Sequence, residues 1–180
     1  MAILTAAFQL VSEVGYAGLT IEGIAARSGT GKQTIYRWWP SKADVLLDAA
    51  VTKADLYIPI PDEGSYEADL RAFLHITFAI GSQPQVADVL RALMAEAQVV
   101  PEFGDRFRSV FLRHRRNALG TVLERARERG ELPPGLSPGT ITDIVFGTLW
   151  YRLLATHEPL DDRLVEELVA MLTGSAKSSG

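Results

Sequence analysis

A chain of 180 residues, 47% of them hydrophobic, can bury a sizeable core as one large domain or as a small domain joined to a larger one. It has no cysteine, which excludes disulfides and thiolate metal sites and suits a reducing cytoplasm, and it has no apolar run of 18 residues and no signal-peptide pattern, so neither a membrane span nor secretion is expected. The net charge of −4 argues against bulk electrostatic binding to nucleic acid, yet residues 1–53 carry five cations against four acids, so the acidic excess lies in the remainder.

The first helical pattern runs from about Ala2 to Val14, with Ala7, Leu10, Val11 and Val14 as its inner stripe and Gly15 as its stop. Ile21, Ile24 and Ala25 are apolar at i, i+3 and i+4, which predicts a second helix from about Ile21 to Ser28, ended by Gly29 in a left-handed conformation. Thr30 is then a candidate N-cap with Gln33 at the box position, so a third helix begins at about Gly31. That helix carries Lys32, Gln33, Thr34, Tyr36 and Arg37, and only Ile35, Trp38 and Trp39 read as core. A helix this short and polar is not stable alone; neighbours must hold it, and its polar side is then free to face a partner. Two short helices joined by a tight turn are a helix-turn-helix.

The polar side of the third helix fits DNA. Lysine and tyrosine can reach phosphate oxygens, glutamine can pair with an adenine edge in the major groove, and a threonine methyl can touch a thymine methyl. The helix N-terminus adds an anion site. Ser41 caps a fourth helix with Asp44 at the box position, and Lys42 falls in its first turn, where a cation opposes the helix dipole unless a phosphate lies nearby. On spacing alone, an ordinary solvated surface helix fits the same residues.

From Ala6 to Leu47 the chain resembles the DNA-binding domain of the TetR family of bacterial transcriptional regulators. The resemblance is carried in order by Gly15-Tyr16, Leu19-Thr20, Ile24-Ala25, Gly29, Thr34-Ile35-Tyr36 and Pro40-Ser41-Lys42. It implies that Thr20, Tyr36 and Lys42 match backbone-contact positions and that Lys32, Gln33 and Thr34 lie on the recognition helix. There are two departures. Gly31 stands where the family more often has a small polar residue, which would loosen the helix start. The chain also begins at Met1-Ala2-Ile3, inside the first helical pattern, so a basic arm ahead of it is expected to be absent.

The fourth helix carries Ala43, Leu46, Leu47, Ala50 and Val51 inward to about Leu56, and Ile58-Pro59-Ile60-Pro61 cannot continue it. The segment to about Ser65 reads as a linker, and the fourth helix, shared by both halves, is the element best placed to transmit a signal. Beyond the linker, helices are predicted over about Tyr66–Ser82, Pro84–Val99, Pro101 to near Gly130 with Gly104 and Gly120 as weak points, Pro138–His157 behind Ser137, and Asp162 to Gly174. The tail Ser175–Gly180 is expected to be disordered. The expected architecture is all-α: an N-terminal helix-turn-helix three-helix module over 1–45, then a helical bundle for ligand binding and dimerisation over 46–174, about nine helices in all.

The apolar faces of the last two helices, with Ile141, Ile144, Val145, Thr148, Leu149, Leu164, Leu168 and Met171, exceed what one bundle readily covers and would pair two copies as a four-helix bundle. The plainer alternative is that they close the monomer's own core. The family resemblance favours the homodimer, and Leu149–Asp161 also looks like a common C-terminal variant of the family. Phe103, Phe107 and Phe111, with Phe73, Phe78, Met94 and Trp150, either line a cavity for a small, largely apolar ligand or are plain core. His75, Gln98, Arg113 and His114 are candidate polar contacts, and Arg106, Arg108, Arg113, Arg115 and Arg116 read as a solvated face. No glycine-rich phosphate loop, GxSxG or i, i+4 histidine pair is present, so no enzyme, cofactor or metal site is expected. The expected function is a cytoplasmic, homodimeric regulator that binds double-stranded DNA at a pseudo-palindromic operator as a ligand-responsive repressor. The alternative is a helical dimerisation module that binds another protein without specific DNA binding.

Overall fold

A computed structural model of the chain describes residues 2–57 and 59–174; the tail expected to be disordered lies outside the described residues. The elements are α1 (Ala2–Gly18), α2 (Ile21–Ser28), α3 (Lys32–Trp38), α4 (Lys42–Tyr57), α5 (Tyr66–Gly81), α6 (Pro84–Val99), α7 (Pro101–Arg106), a π-helical turn (Phe107–Leu112), α8 (Arg113–Glu128), α9 (Pro138–Tyr151), a second π-helical turn (Arg152–Thr156) and α10 (Asp162–Thr173). Counting Pro101–Glu128 as one helix interrupted by a π turn, nine helices and no strand lie among the described residues. The fold is all-α, and no helix among the described residues is long and apolar enough to cross a membrane.

Local chemistry sets the boundaries. Thr20 Oγ1 accepts from Gly23 N at 3.0 Å to start α2, and Gly29 ends it at φ 67°. Ser41 caps α4 by accepting from Asp44 N at 3.2 Å and donating to Asp44 Oδ2 at 2.7 Å. Ser137 and Asp161 cap α9 and α10 through Thr140 N and Leu164 N. The regular first helix stops at Gly15, as its sequence predicts: φ 68° and ψ 174° are not helical, and a second short helical stretch follows to Gly18. Two expectations are corrected. Val14, expected on the inner stripe, is 47% exposed. The N-cap of α3 is Gly31, not Thr30, and has no side chain to bond the first turn.

The chain divides into two compact units that alternate along it. The first comprises Met1–Tyr57 and Pro84–Arg113, the second Ile58–Gln83 and His114–Gly180. In the first unit α1 packs on α2, α4 and α6, and α4 on α6 and the first π turn. Five consecutive residues of α4, Ala43 to Leu47, are buried, which is more than an amphipathic stripe requires. In the second unit a single core joins α5, α8, α9 and α10 through Phe73, Leu74, Leu119, Val122, Val145, Phe146, Leu168 and Leu172. The expected linker over 58–65, of which residue 58 lies outside the described residues, is pinned. Arg125 Nη1 donates to Pro61 O (2.7 Å), Glu63 N to the fully buried Asp69 (2.5 Å), and Tyr66 N to Glu131 (2.6 Å). Arg129 neutralises Asp69 at 2.9 Å.

The arginine run is not one solvated face. Arg115 is 5% exposed, with Nη2 3.3 Å from Thr77 Oγ1 and its guanidinium 5.4 Å above the Phe73 ring, and Arg106 is an internal clamp described below.

Candidate nucleic-acid interface

The three residues Gly29 to Gly31 turn α2 into α3, giving the helix-turn-helix that spacing predicts. Ile35 is the buried anchor of α3, at 0% exposure, and α3 otherwise presents its side chains outward. Lys32, Gln33, Thr34 and Tyr36 are exposed there, Tyr36 by 53%. Thr20 is exposed at the start of α2, and its hydroxyl retains a donor after accepting from Gly23 N. Lys32 Nζ meets Glu22 Oε1 at 3.0 Å, and that hydrogen bond is the main reason the Glu22 carboxyl lies below its usual range. The pair is exposed on both sides, so a phosphate can displace Glu22 at little cost.

Two residues differ from expectation. Lys42 Nζ donates to Tyr16 O (2.8 Å) and Leu19 O (3.0 Å) and lies 4.4 Å above the Tyr16 ring. The cation that opposes the dipole of α4 therefore satisfies one carbonyl in the last turn of α1 and one just beyond it, where positive charge is favourable. No phosphate is needed to explain it. Trp38, expected in the core, is 67% exposed with the Arg37 guanidinium 5.9 Å from its ring. The helix ends at Trp38, and Trp39 leaves it with extended geometry, so nothing beyond covers the indole. Trp39 itself turns inward, donating Nε1 to Asp48 Oδ2 at 2.7 Å. Trp38 thus joins Arg37 on the outward face, and sequence reading missed Trp38 as a site residue because an aromatic three residues after Ile35 resembles core.

The remaining predicted residues separate. Phe103, Phe107 and Phe111 are buried in the first unit as a continuous stack, with ring centroids 6.3 and 5.5 Å apart. Met94, half-buried, belongs to the same unit. Phe73 and Phe78 are core residues of the second unit, Phe73 edge-on to Phe146 at 6.5 Å, and Trp150 packs partly buried against that core. A groove of about 460 Å³ on α8 is lined by Arg116, Asn117, Gly120, Thr121, Glu124, Arg125 and Glu128, and holds none of the expected ligand residues. Gln98, Arg113 and His114 are exposed, and His75 Nδ1 is 3.2 Å from Asp162. Of the expected dimer residues, Ile141, Val145, Leu149, Leu164 and Leu168 are buried within the chain's own core. Those five therefore close the monomer, the alternative left open by their periodicity. Ile144 and Thr148 remain half-exposed and Met171 is 51% exposed.

With this geometry in place, known proteins supply its context. Residues 3–50 match the family model for bacterial regulatory proteins of the tetR family, and residues 60–172 match that for the tetracyclin repressor-like C-terminal domain. An uncharacterized HTH-type transcriptional regulator of Bacillus subtilis, YdeS, is 33% identical over 169 residues, covering 93% of this chain and 84% of YdeS. The crystal structure of the TetR family transcription regulator SCO0332 superposes with a TM-score of 0.83 at 32% identity, covering 94% of this chain and 93% of that one. FadR from Bacillus subtilis, solved in complex with stearoyl-CoA, shares the fold with a TM-score of 0.73 at 21% identity, covering 96% and 97% of the two chains. Two family models that together span nearly the whole described chain, on a helix-turn-helix followed by a helical bundle, leave one assignment: the chain belongs to the TetR family of helix-turn-helix transcriptional regulators.

Proposed function

We propose that the chain is a homodimeric, sequence-specific DNA-binding repressor whose hold on a pseudo-palindromic operator is released by a small, largely apolar ligand. Residues 1–45 read the DNA, and residues 46–174 bind ligand and the second copy. The observation that carries the reading is the outward face of α3, where Lys32, Gln33, Thr34, Tyr36, Arg37 and Trp38 are all exposed around the single buried anchor Ile35. In a major groove, Gln33 and Thr34 reach base edges, while Lys32, Tyr36 and Thr20 reach phosphates.

A second copy would cover the outward side of α9 and α10. Ile144, Gly147, Thr148 and Tyr151 recur at i, i+3, i+4 and i+7, Tyr151 is 64% exposed, and Met171 on α10 is 51% exposed. Two such copies present two recognition helices to half-sites separated by whole turns, about 34 Å each. The stearoyl-CoA complex of FadR supports the ligand part only in that this fold can house a long apolar chain. A ligand acts only if it binds the two states unequally.

The test is selection of bound duplexes from a random pool. An enriched inverted repeat is the expected result, and Gln33→Ala should change the repeat that is selected. No enriched site from folded, dimeric protein would sink the reading and favour a protein-binding module.

A further inference from the structure

Arg106 closes α7, and its guanidinium bridges two carboxylates one turn apart on α4. Nη1 donates to Asp44 Oδ1 and Nη2 to Asp48 Oδ1, each at 2.6 Å. Acids at i, i+4 repel, and one guanidinium between them attracts both and relieves that repulsion. The second oxygen of each carboxylate faces back to the link between α3 and α4. Asp48 Oδ2 accepts from Trp39 Nε1 at 2.7 Å, and Asp44 Oδ2 from Ser41 Oγ at 2.7 Å. Trp39 is the C-cap of α3, its own N–H bonded to Ile35 O at 2.9 Å. An unbroken path of hydrogen bonds thus runs from α7 through α4 to the anchor residue of α3.

The place of Arg106 is fixed independently. At Gly104, two residues earlier, a Cβ would lie 2.6 Å from Ala97 O, so α7 presses on the backbone of α6 and only glycine fits. Tyr16 OH donates to Glu96 Oε2 at 3.2 Å on the same corner. The π turn begins at the next residue, Phe107.

We propose that Arg106 is a positioning residue that fixes α3 on α4 through Asp44 and Asp48, so that loss of its guanidinium loosens the outward face of α3. The consequence for binding rests on the DNA-binding reading; the clamp itself does not. Its test therefore has a readout on the protein alone. In Arg106→Gln, the indole N–H resonance of Trp39, assigned by its disappearance in Trp39→Phe, should move, and amide exchange of Ile35 to Trp39 should quicken while α5 and α10 keep their protection. Affinity for the selected duplex should fall about tenfold, with non-specific affinity unchanged. Arg106→Lys, able to meet one carboxylate, should recover part of both effects. If Arg106→Gln fails to fold, Trp39→Phe, which leaves Arg106 and both acids in place, must show the same faster exchange and weaker specific binding. An unmoved indole and unchanged exchange overturn the proposal whatever happens to DNA binding. A loosened α3 with undiminished operator affinity overturns the link to DNA. A loosened α3 in a protein whose parent selects no duplex leaves the clamp standing and removes the DNA-binding reading instead.

Discussion

Replacing Lys42 by alanine separates two roles that sequence alone merges. As a phosphate contact, Lys42 would contribute to DNA binding and little to folding. In the structure it holds the end of α1, with two carbonyl acceptors at 2.8 and 3.0 Å and the Tyr16 ring 4.4 Å away. A hydrogen bond to a charged donor contributes about 1.5–3 kcal/mol when buried, and half-exposure trims each of these to roughly 1 kcal/mol. The ring contact adds about 0.5–1 kcal/mol. Lys42→Ala should therefore destabilise the first unit by about 2–3 kcal/mol, a fall in melting temperature of roughly 5–10 °C for a chain of this size. The assay is thermal unfolding beside a salt titration of duplex binding. A phosphate contact predicts the opposite pattern: an unchanged melting temperature and a slope of log K against log salt that is shallower by about 0.9 per contact removed. Melting within about 1 °C of the parent would refute the clamp reasoning.

Tyr66 is 2% exposed and its hydroxyl has no hydrogen-bond partner among the described residues, so Tyr66→Phe should stabilise the second unit by about 1 kcal/mol; destabilisation would show that the hydroxyl is satisfied. Burial also pushes the Tyr66 phenol up to about 12, so the unfolded chain loses this proton first and stability should fall between about pH 10 and pH 12. Tyr66→Phe should lessen that alkaline loss without abolishing it, because the Tyr16 phenol is also raised, chiefly by burial and then by the charge of Glu96. Gly147→Glu should leave the monomer folded, since a Cβ there meets open space, but should shift sedimentation from dimer to monomer; an unchanged dimer would move the interface elsewhere. Salt titration of operator binding should give a shallow slope of about −4, from Lys32 and Arg37 of each of two copies, and a slope near −10 would contradict that count.

Local signals made the helices legible. Gly29, Ser41, Pro84, Pro101, Ser137-Pro138 and Asp161 are starts and stops that act within one turn, and the structure places element ends at or beside them. What a helix face meets is not local. Ile141, Val145 and Leu149 announce a buried stripe equally well whether α5 and α8 or a second copy covers it, and here the chain's own core does. The same limit explains Trp38, whose spacing from Ile35 fits a core residue but whose helix stops before anything can cover it. Gly104 reads as a weak point in a long helix, yet the approach of Ala97 O makes it a requirement. Arg106 sits 62 residues from Asp44, and no spacing pattern relates them. Its neighbours in sequence suggest a solvated face, and only the fold reveals two acids waiting for one guanidinium.

The charge of the N-terminal region is weaker in the fold than in the sequence. Of its five cations, Arg27 forms a two-pronged pair with Glu13, Lys32 pairs with Glu22, Lys42 holds carbonyls of α1, and Lys53 lies 4.2 Å above the Phe8 ring. Only Arg37 directs its charge along the exposed end of α3, against Trp38. Its acids are engaged as well, Asp44 and Asp48 by Arg106. The surface offered to a duplex is therefore close to neutral, and non-specific attraction to phosphate is small. On the DNA-binding reading proposed above, discrimination would come from Gln33 and Thr34 at base edges and affinity from presenting two such faces at once, and the spacing and orientation of α3 would govern binding more than charge. A clamp that sets the orientation of α3 would be a stronger control than any change in surface electrostatics.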